Sequence, residues 1–378
     1  MTGAIIHEWV EPIGGAERVV DAMMSTFPNA DLWCLWNDAP ERFPGRKIHE
    51  SPLARSRLRR HKALALPWMP RIWRMLESDK QLDWMLVSSH LFAHHAHFRS
   101  IGSQKISRTN PEPRKYVYSY TPARYLWRPD LDERGRNPIV KVAGSLLKPL
   151  DRRRAKEAYS IAAISKYIQA RIEEAWDLPS IVIYPPVDVE RIESVADWAS
   201  QVPATDMDTL EALPDAFILG ASRFVPYKRL DLIIQIGEAL GLPVVIAGQG
   251  PEEDRLRSYA STVNVPIHFI ISPSDALLFS LYQRASVFVF PVVEDFGIMP
   301  VEAMAAGCPV VGLLSGGTGE TIINGVTGVL AETPNISDLV VAVNKALLLP
   351  RGNGKAIVHN YGNDRFSLEL ENWIKSDE

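Results

Sequence analysis

Residues 286–309 read S-V-F-V-F-P-V-V-E-D-F-G-I-M-P-V-E-A-M-A-A-G-C-P, and nothing else in the chain limits its fold so tightly. The run Val287 to Phe290 is short, β-branched and aromatic, and Pro291 stops it, which is the pattern of a buried strand. Pro300 suits the first position of a helix, and Gly307 suits the residue that ends one. Between strand and helix lies a turn carrying Glu294, and Glu302 falls in the first turn of the helix. The amides of Phe296, Gly297, Ile298 and Met299 then point outward at a helix N-terminus, where anions are favoured. Gly297 also lets a ligand come close to the main chain. A strand end, free amides and two fixed carboxylates suit a ligand that carries both phosphate and hydroxyls, such as a sugar nucleotide.

Similar apolar runs recur along the chain. They lie at about 4–9, 85–88, 116–120, 161–164 and 181–184 in the first half, and at 217–221, 244–247 and 267–271 in the second. Helical patterns separate them. After the first run, Ala16, Val19, Val20, Met23, Met24 and Phe27 share one helical face. This alternation requires doubly wound α/β domains, and 378 residues suffice for two. Residues 190–214 are polar, acidic and without strong periodicity, as a linker would be. The expected organisation is a first domain over 1–188, a linker over 189–214, a second domain over 215–350 and a final helical segment over 351–378.

A net charge of -4 argues against general nucleic-acid binding. Cys34 and Cys308 sit in apolar surroundings without metal-type spacing, as buried thiols of a reducing compartment do. No apolar run approaches the roughly 18 residues needed to span a bilayer, and no signal peptide precedes Ile5. The expectation is a protein of the cytoplasm or of the inner membrane face.

Several stretches carry candidate chemistry. Gly14-Gly15 follows the first strand and opens a helix, making a βα turn with an open N-terminus. Within 51–75, Arg55, Arg57, Arg59, Arg60 and Lys62 precede Trp68 and Trp73. Basic and aromatic residues together read as an interfacial patch on anionic lipid, and a solvated basic helix beside a packed loop is the alternative. Pro67 and Pro70 rule out one long amphipathic helix there. His90, His94 and His97 could share a helical face, but no acid or cysteine completes a metal set. Arg223 and Lys228 lie in a strand-to-helix loop, where cations can meet a diphosphate at the carboxyl edge of a parallel sheet. Asp130-Leu131-Asp132 and Asp206-Met207-Asp208 imitate a metal-binding D-x-D, yet both lie in polar loop or linker sequence and read as decoys.

Glu294 and Glu302, set in E-D-F-G-I-M-P-V-E-A-M-A-A-G-C-P-V, resemble the paired glutamates of the retaining family 4 glycosyltransferases. The same holds for H-E-W-V-E-P-I-G-G-A-E-R-V-V, Y-S-Y-T-P-A-R-Y-L-W, I-Y-P-P-V-D, S-R-F-V-P-Y-K-R-L-D and G-G-T-G-E-T, in the family's order. The resemblance covers about 5–330 and implies the GT-B fold, two Rossmann-like domains facing across a cleft, with the last helix returning to the first domain. It implies a metal-independent retaining hexosyltransferase with no cofactor. In it Arg223 and Lys228 meet the donor diphosphate, Glu294 the donor sugar and Glu302 the ribose, while Phe296, Gly297 and Ile298 line the donor site. Gly14 and Gly15 would abut the donor diphosphate or the acceptor, and His90 and Arg124 are candidate acceptor contacts.

The Y-S-Y-T-P-A-R-Y-L-W segment resembles the branch that builds bacterial surface polysaccharides, largely mannosyltransferases. This implies GDP-mannose as donor and a polyprenyl-linked glycan as acceptor. Where that branch has histidine this chain has Tyr120, a hydrogen-bond donor that cannot become a cation near neutral pH. Either the phenol replaces the histidine in catalysis or the donor differs. A UDP-sugar enzyme acting on a soluble acceptor, and a non-catalytic module that binds sugar nucleotides, are the alternatives.

Overall fold

The structure, a computed structural model, describes residues 2–99, 112–128 and 138–375. The chain divides into two units, Met1–Pro186 with Phe366–Glu378, and Val187–Arg365.

The first unit is built on seven parallel strands: β1 (Gly3–His7), β2 (Asp31–Cys34), β3 (Ile48–Glu50), β4 (Trp84–Ser89), β5 (Arg114–Ser119), β6 (Ser160–Ala163) and β7 (Ile181–Val182). Their order is β3-β2-β1-β4-β5-β6-β7. All residues of β1 and β4 are buried, as in a parallel sheet covered on both faces. From β1 the chain winds outward to β3, then returns to β4 and winds the other way. The order therefore reverses between β1 and β4, and in open α/β sheets ligands bind outside the strand ends at such a point.

The helix Asn363–Lys375 buries Phe366, Leu370, Trp373 and Ile374. Its Trp373 indole donates to Ser160 Oγ at 2.8 Å, and Ser367 Oγ accepts from Thr26 Oγ1 at 2.9 Å, so its apolar stripe completes the first unit.

The second unit repeats the plan with β8 (Ile218–Ala221), β9 (Val244–Gly248), β10 (Ile267–Ile271), β11 (Val287–Val289), β12 (Val310–Leu313) and β13 (Gly328–Ala331). The order is β10-β9-β8-β11-β12-β13, with every pairing parallel and the reversal between β8 and β11. Leu230, Leu232, Ile233, Ile234 and Ile236 of the helix Leu230–Leu240 pack onto this sheet in one apolar core.

Three sequence expectations differ from the structure. Residues 189–214, expected as a linker, instead form the short helices Val189–Ser194, Trp198–Gln201 and Ala204–Glu211. They bury Val189, Ile192, Trp198 and Leu210, and they belong to the second unit. Second, the helix expected to begin at Pro300 begins at Ile298. Gly297 takes φ 95° before it, and proline is tolerated in any first-turn position whose N–H has no intrahelical partner. Gly307 ends this helix at φ 85°, as expected. Third, His90, His94 and His97 do not share a helix, because only the short turn Ala93–His95 forms there. Asp130-Leu131-Asp132 lies outside the described residues.

Candidate functional site

At the reversal point of the second unit, β8 runs into Ser222-Arg223 and β11 into the turn that carries Glu294. The neighbouring loops are locked by backbone contacts that admit only glycine. An added Cβ on Gly248 would lie 1.9 Å from the Ser222 carbonyl oxygen, and one on Gly250 would lie 2.5 Å from that of Phe224. Phe224 N–H donates to Gln249 O at 2.8 Å, tying the Arg223 loop to the loop after β9. On the other side Gly317 N–H donates to Glu294 O at 2.8 Å, and a Cβ on Gly317 would lie 2.2 Å from Phe296 Cα. Gly316 and Gly317 thus press a loop directly against the Glu294 turn.

Within this frame Lys228 Nζ and Glu294 Oε1 form an ion pair, with the side chains only 11% and 19% exposed. The ammonium also lies 5.1 Å from the Phe290 ring centre. Arg223 is exposed, and its guanidinium donates to the Tyr227 hydroxyl at 2.8 Å. Glu302 is buried in the helix Ile298–Ala305, whose start is formed by Phe296, Gly297 and Ile298. One edge of one sheet therefore gathers two cations, two carboxylates and a helix N-terminus. That set can hold a diphosphate by charge and amide bonding, and hydroxyls by carboxylate acceptance.

The other candidates gather at the reversal point of the first unit. His7 Nδ1 and Ser88 Oγ lie 3.0 Å apart, Ser88 Oγ and Tyr120 Oη lie 3.0 Å apart, and Tyr120 donates to the Ala16 carbonyl at 3.2 Å. Burial pushes the Tyr120 phenol above its ordinary range, so it is a neutral donor. Its hydroxyl is engaged by Ser88 and by the first turn of the helix that opens at Gly15. His90 packs edge-on to Trp9 at 4.9 Å and to Tyr120 at 6.2 Å. Arg124 begins the short helix Arg124–Trp127 that follows β5.

The glycine turn is held from two sides. Arg42 grips Asp21 with two bonds, at 2.8 Å and 2.6 Å, and donates to the Pro12 carbonyl at 2.9 Å. The Glu17 carboxylate folds back over Gly14, where a Cβ would lie 1.9 Å from Oε2. A diphosphate at this helix start would meet that carboxylate.

A residue that sequence reasoning missed is Glu8, which follows β1 and is fully buried. Its Oε1 accepts the N–H groups of Leu91 and Ala93, both at 2.8 Å. The only sequence signal was an acid directly after an apolar strand.

His94, His95 and Asp151 bring three ligating atoms within 4.8 Å of one another, and all three residues are buried. Both Asp151 oxygens are engaged: Oδ2 accepts the Trp127 and Trp176 indoles, both at 2.8 Å, and Oδ1 lies 3.1 Å and 3.2 Å from the two imidazoles. This arrangement is a structural clasp.

The basic stretch 51–75 is a series of short turns anchored by Leu53, Ala65, Met69 and Trp73. Arg59 pairs with Asp38 and Lys62 with Glu11, whereas Arg55, Arg57, Arg60 and Arg71 are exposed, beside Leu64 at 62% and Trp68 at 56% exposure. Among the described residues no helix is long and apolar enough to cross a membrane.

Residues 205–362 match the family model described as glycosyl transferases group 1. A GDP-mannose-dependent alpha-(1-6)-phosphatidylinositol monomannoside mannosyltransferase from Mycolicibacterium smegmatis is 29% identical over 226 residues, which is 53% of this chain and 56% of that protein. The alpha-1,3/1,6-mannosyltransferase alg-2 of Neurospora crassa is 26% identical over 232 residues, covering 50% of this chain and 48% of that protein. The chain spans about half the length of the curated relatives it matches. Among solved structures, Anabaena HepE in complex with UDP superposes over the full length of both chains with a TM-score of 0.71 at 15% identity. Sucrose-phosphate synthase of Thermosynechococcus elongatus gives a TM-score of 0.70 at 15% identity, covering 99% of this chain and 98% of that one. These likenesses identify the fold as GT-B.

Proposed function

We propose that this chain, whose second unit is a group 1 glycosyl transferase domain, is a retaining glycosyltransferase that takes a hexosyl group from a nucleotide diphosphate sugar. The observation that supports the reading most is the pairing of Lys228 with Glu294 at the reversal point, beside the start of the helix Ile298–Ala305. Transfer breaks the bond between the sugar carbon and the diphosphate and forms one to an acceptor oxygen. The departing diphosphate needs its charge neutralised, and in this reading Arg223, Lys228 and the helix amides do so without a divalent metal. A diphosphate sharing Lys228 would turn the Glu294 carboxylate toward sugar hydroxyls. Glu302 is assigned to the ribose. Gly14, which lies under the Glu17 carboxylate, and Gly15 are assigned to an uncharged part of the acceptor, with His90 and Arg124 as further acceptor contacts.

GDP-mannose is the donor favoured by the GDP-mannose-dependent relative from Mycolicibacterium smegmatis. A polyprenyl-linked glycan is the favoured acceptor, held near an anionic membrane by the exposed arginines and Trp68 of the 51–75 segment.

A thermal-shift screen against GDP, UDP, ADP and their sugars tests the reading, because a ligand of the native state raises the midpoint. Stabilisation by GDP and GDP-mannose is expected, UDP alone would move the donor to a UDP-sugar, and no response to any would contradict the reading. Arg223→Ala and Lys228→Ala should each lower turnover by roughly 10²–10³-fold. Near-parental turnover in both would remove them from catalysis.

A further inference from the structure

Glu8 is an acid placed where a carboxylate is costly. It has no exposed surface, and no cation pairs with it among the described contacts. What it has is a turn wrapped around it. Residues 90–93 follow β4 across the reversal point from β1, and the amides of Leu91 and Ala93 both point at Oε1 at 2.8 Å. Its other oxygen, Oε2, is buried without a partner. Two amides converging on one oxygen form a small anion nest, and here the chain's own side chain fills it. The Glu8 main chain is fixed as well, because its carbonyl accepts Leu35 N–H at 2.8 Å. The rigid element is thus β1 with Glu8, and the element it gathers is the turn that begins with His90.

We propose that Glu8 is a positioning residue: its buried carboxylate holds the 90–93 turn, and with it His90, at the edge of the first sheet, and it loosens that hold when it takes up a proton. Amide bonds to an ionised carboxylate are about twice as strong as those to a neutral group. A protonated Glu8 would also bring an O–H into a place where Oε2 has no acceptor. Burial raises its pKa to about 7 against the opposing pull of the Ala93, Leu91, Phe92 and His90 amides, so the change falls near neutrality.

Four titratable groups of the surrounding elements lie outside that range. Burial lowers His7 on β1 to about 3 and His90 on the turn to about 4, so both are neutral. Tyr120 after β5 and Cys34 on β2 are pushed up by burial and stay protonated. Glu17 on the first helix is raised by burial and acts on Tyr120, while the cations Arg42 and Lys62 act on His7 and His90.

The inference rests on the reading of His90 as an acceptor-side residue. It gives acceptor binding, and not nucleotide binding, a dependence on one proton. That dependence has a definite direction: the hold is complete above pH 7 and is lost as pH falls below it.

The test is a pH titration of the full chain by NMR with isotope-labelled histidine, the His90 signal being assigned by its loss in His90→Gln. The His90 ring signal should inflect near pH 7 in the parent and be flat over the same range in Glu8→Gln. An inflection that survives in Glu8→Gln, or is missing from the parent, overturns the proposal. Should Glu8→Gln not fold, the Leu91 and Ala93 amide protons of the parent supply the answer. Both should move with one midpoint near pH 7, and stationary signals would refute the carboxylate's role. Stabilisation by GDP or UDP should be unchanged in Glu8→Gln. If neither nucleotide stabilises the parent, the glycosyltransferase reading fails, while the titration still judges Glu8.

Discussion

The Asp151 clasp offers a prediction that needs no substrate. Asp151 lies inside the helix Pro138–Ala155, fully buried, with two indole N–H groups on Oδ2 and two imidazoles on Oδ1. Burial alone would raise its pKa, but His94 and His95 outweigh that and hold it far below the ordinary carboxylate range. Asp151→Asn keeps the shape, removes the charge and turns an amide N–H₂ toward donors. Breaking a buried pair from one side costs about 3–5 kcal/mol. In a unit of about 200 residues each kcal/mol moves the midpoint by roughly 2–4 °C. A fall of roughly 10 °C follows.

Tryptophan fluorescence follows this unit selectively, because nine of the ten tryptophans, all but Trp198, lie in it. The pH dependence has a definite sign. A depressed folded-state pKa contributes stability above the unfolded value of 3.8, and this is lost as pH falls through the folded value. The gap between parent and Asp151→Asn should therefore stay constant from neutral pH down to about 4 and narrow only below it. A midpoint within roughly 2 °C of the parent at neutral pH would refute the claim that the clasp holds this unit together.

Three further outcomes are expected. Burial lowers His7 to about 3, His90 to about 4 and His95 to about 4 from 6.5, so the unfolded chain takes these protons first. The first unit should lose stability as pH falls from 6.5 toward 4, against the opposite contribution of Glu8, and a constant fluorescence midpoint over that range would contradict it. Gly317→Ala places a Cβ 2.2 Å from Phe296 Cα; it should cost about 1–3 kcal/mol and weaken nucleotide-induced stabilisation. Parental values for both would show that the loop is not in close contact with the Glu294 turn. Trp68→Ser should lower sedimentation with anionic-lipid vesicles by about tenfold at low salt, and equal partitioning would deny the 51–75 segment a membrane role.

The central strands were legible because a parallel sheet covered on both faces demands unbroken apolar runs. Val287 to Phe290 and Val244 to Ala247 show this, and the structure places strands there within a residue. Toward the edge that demand lapses. The strand Ile48–Glu50 has no buried residue and the strand Asp31–Cys34 is only four residues long, so neither showed a run long enough to read. The span 189–214 shows no period in sequence because its buried residues, such as Trp198 and Leu210, are spread over three short helices.

The second-unit site was readable because its turn, its helix start and both glutamates lie within one continuous segment. The pairing of Lys228 with Glu294, 66 positions apart, was not readable, nor were the bonds from Glu8 to amides 83 and 85 positions away. Local sequence carries no signal for contacts closed by sheet topology.

The most direct test of the account is a crystal structure of the chain with GDP or UDP bound. The phosphates are expected against Arg223, Lys228 and the amides that open the helix Ile298–Ala305, with the ribose at Glu302. Phosphates bound anywhere else, the Gly14-Gly15 turn included, would contradict the account.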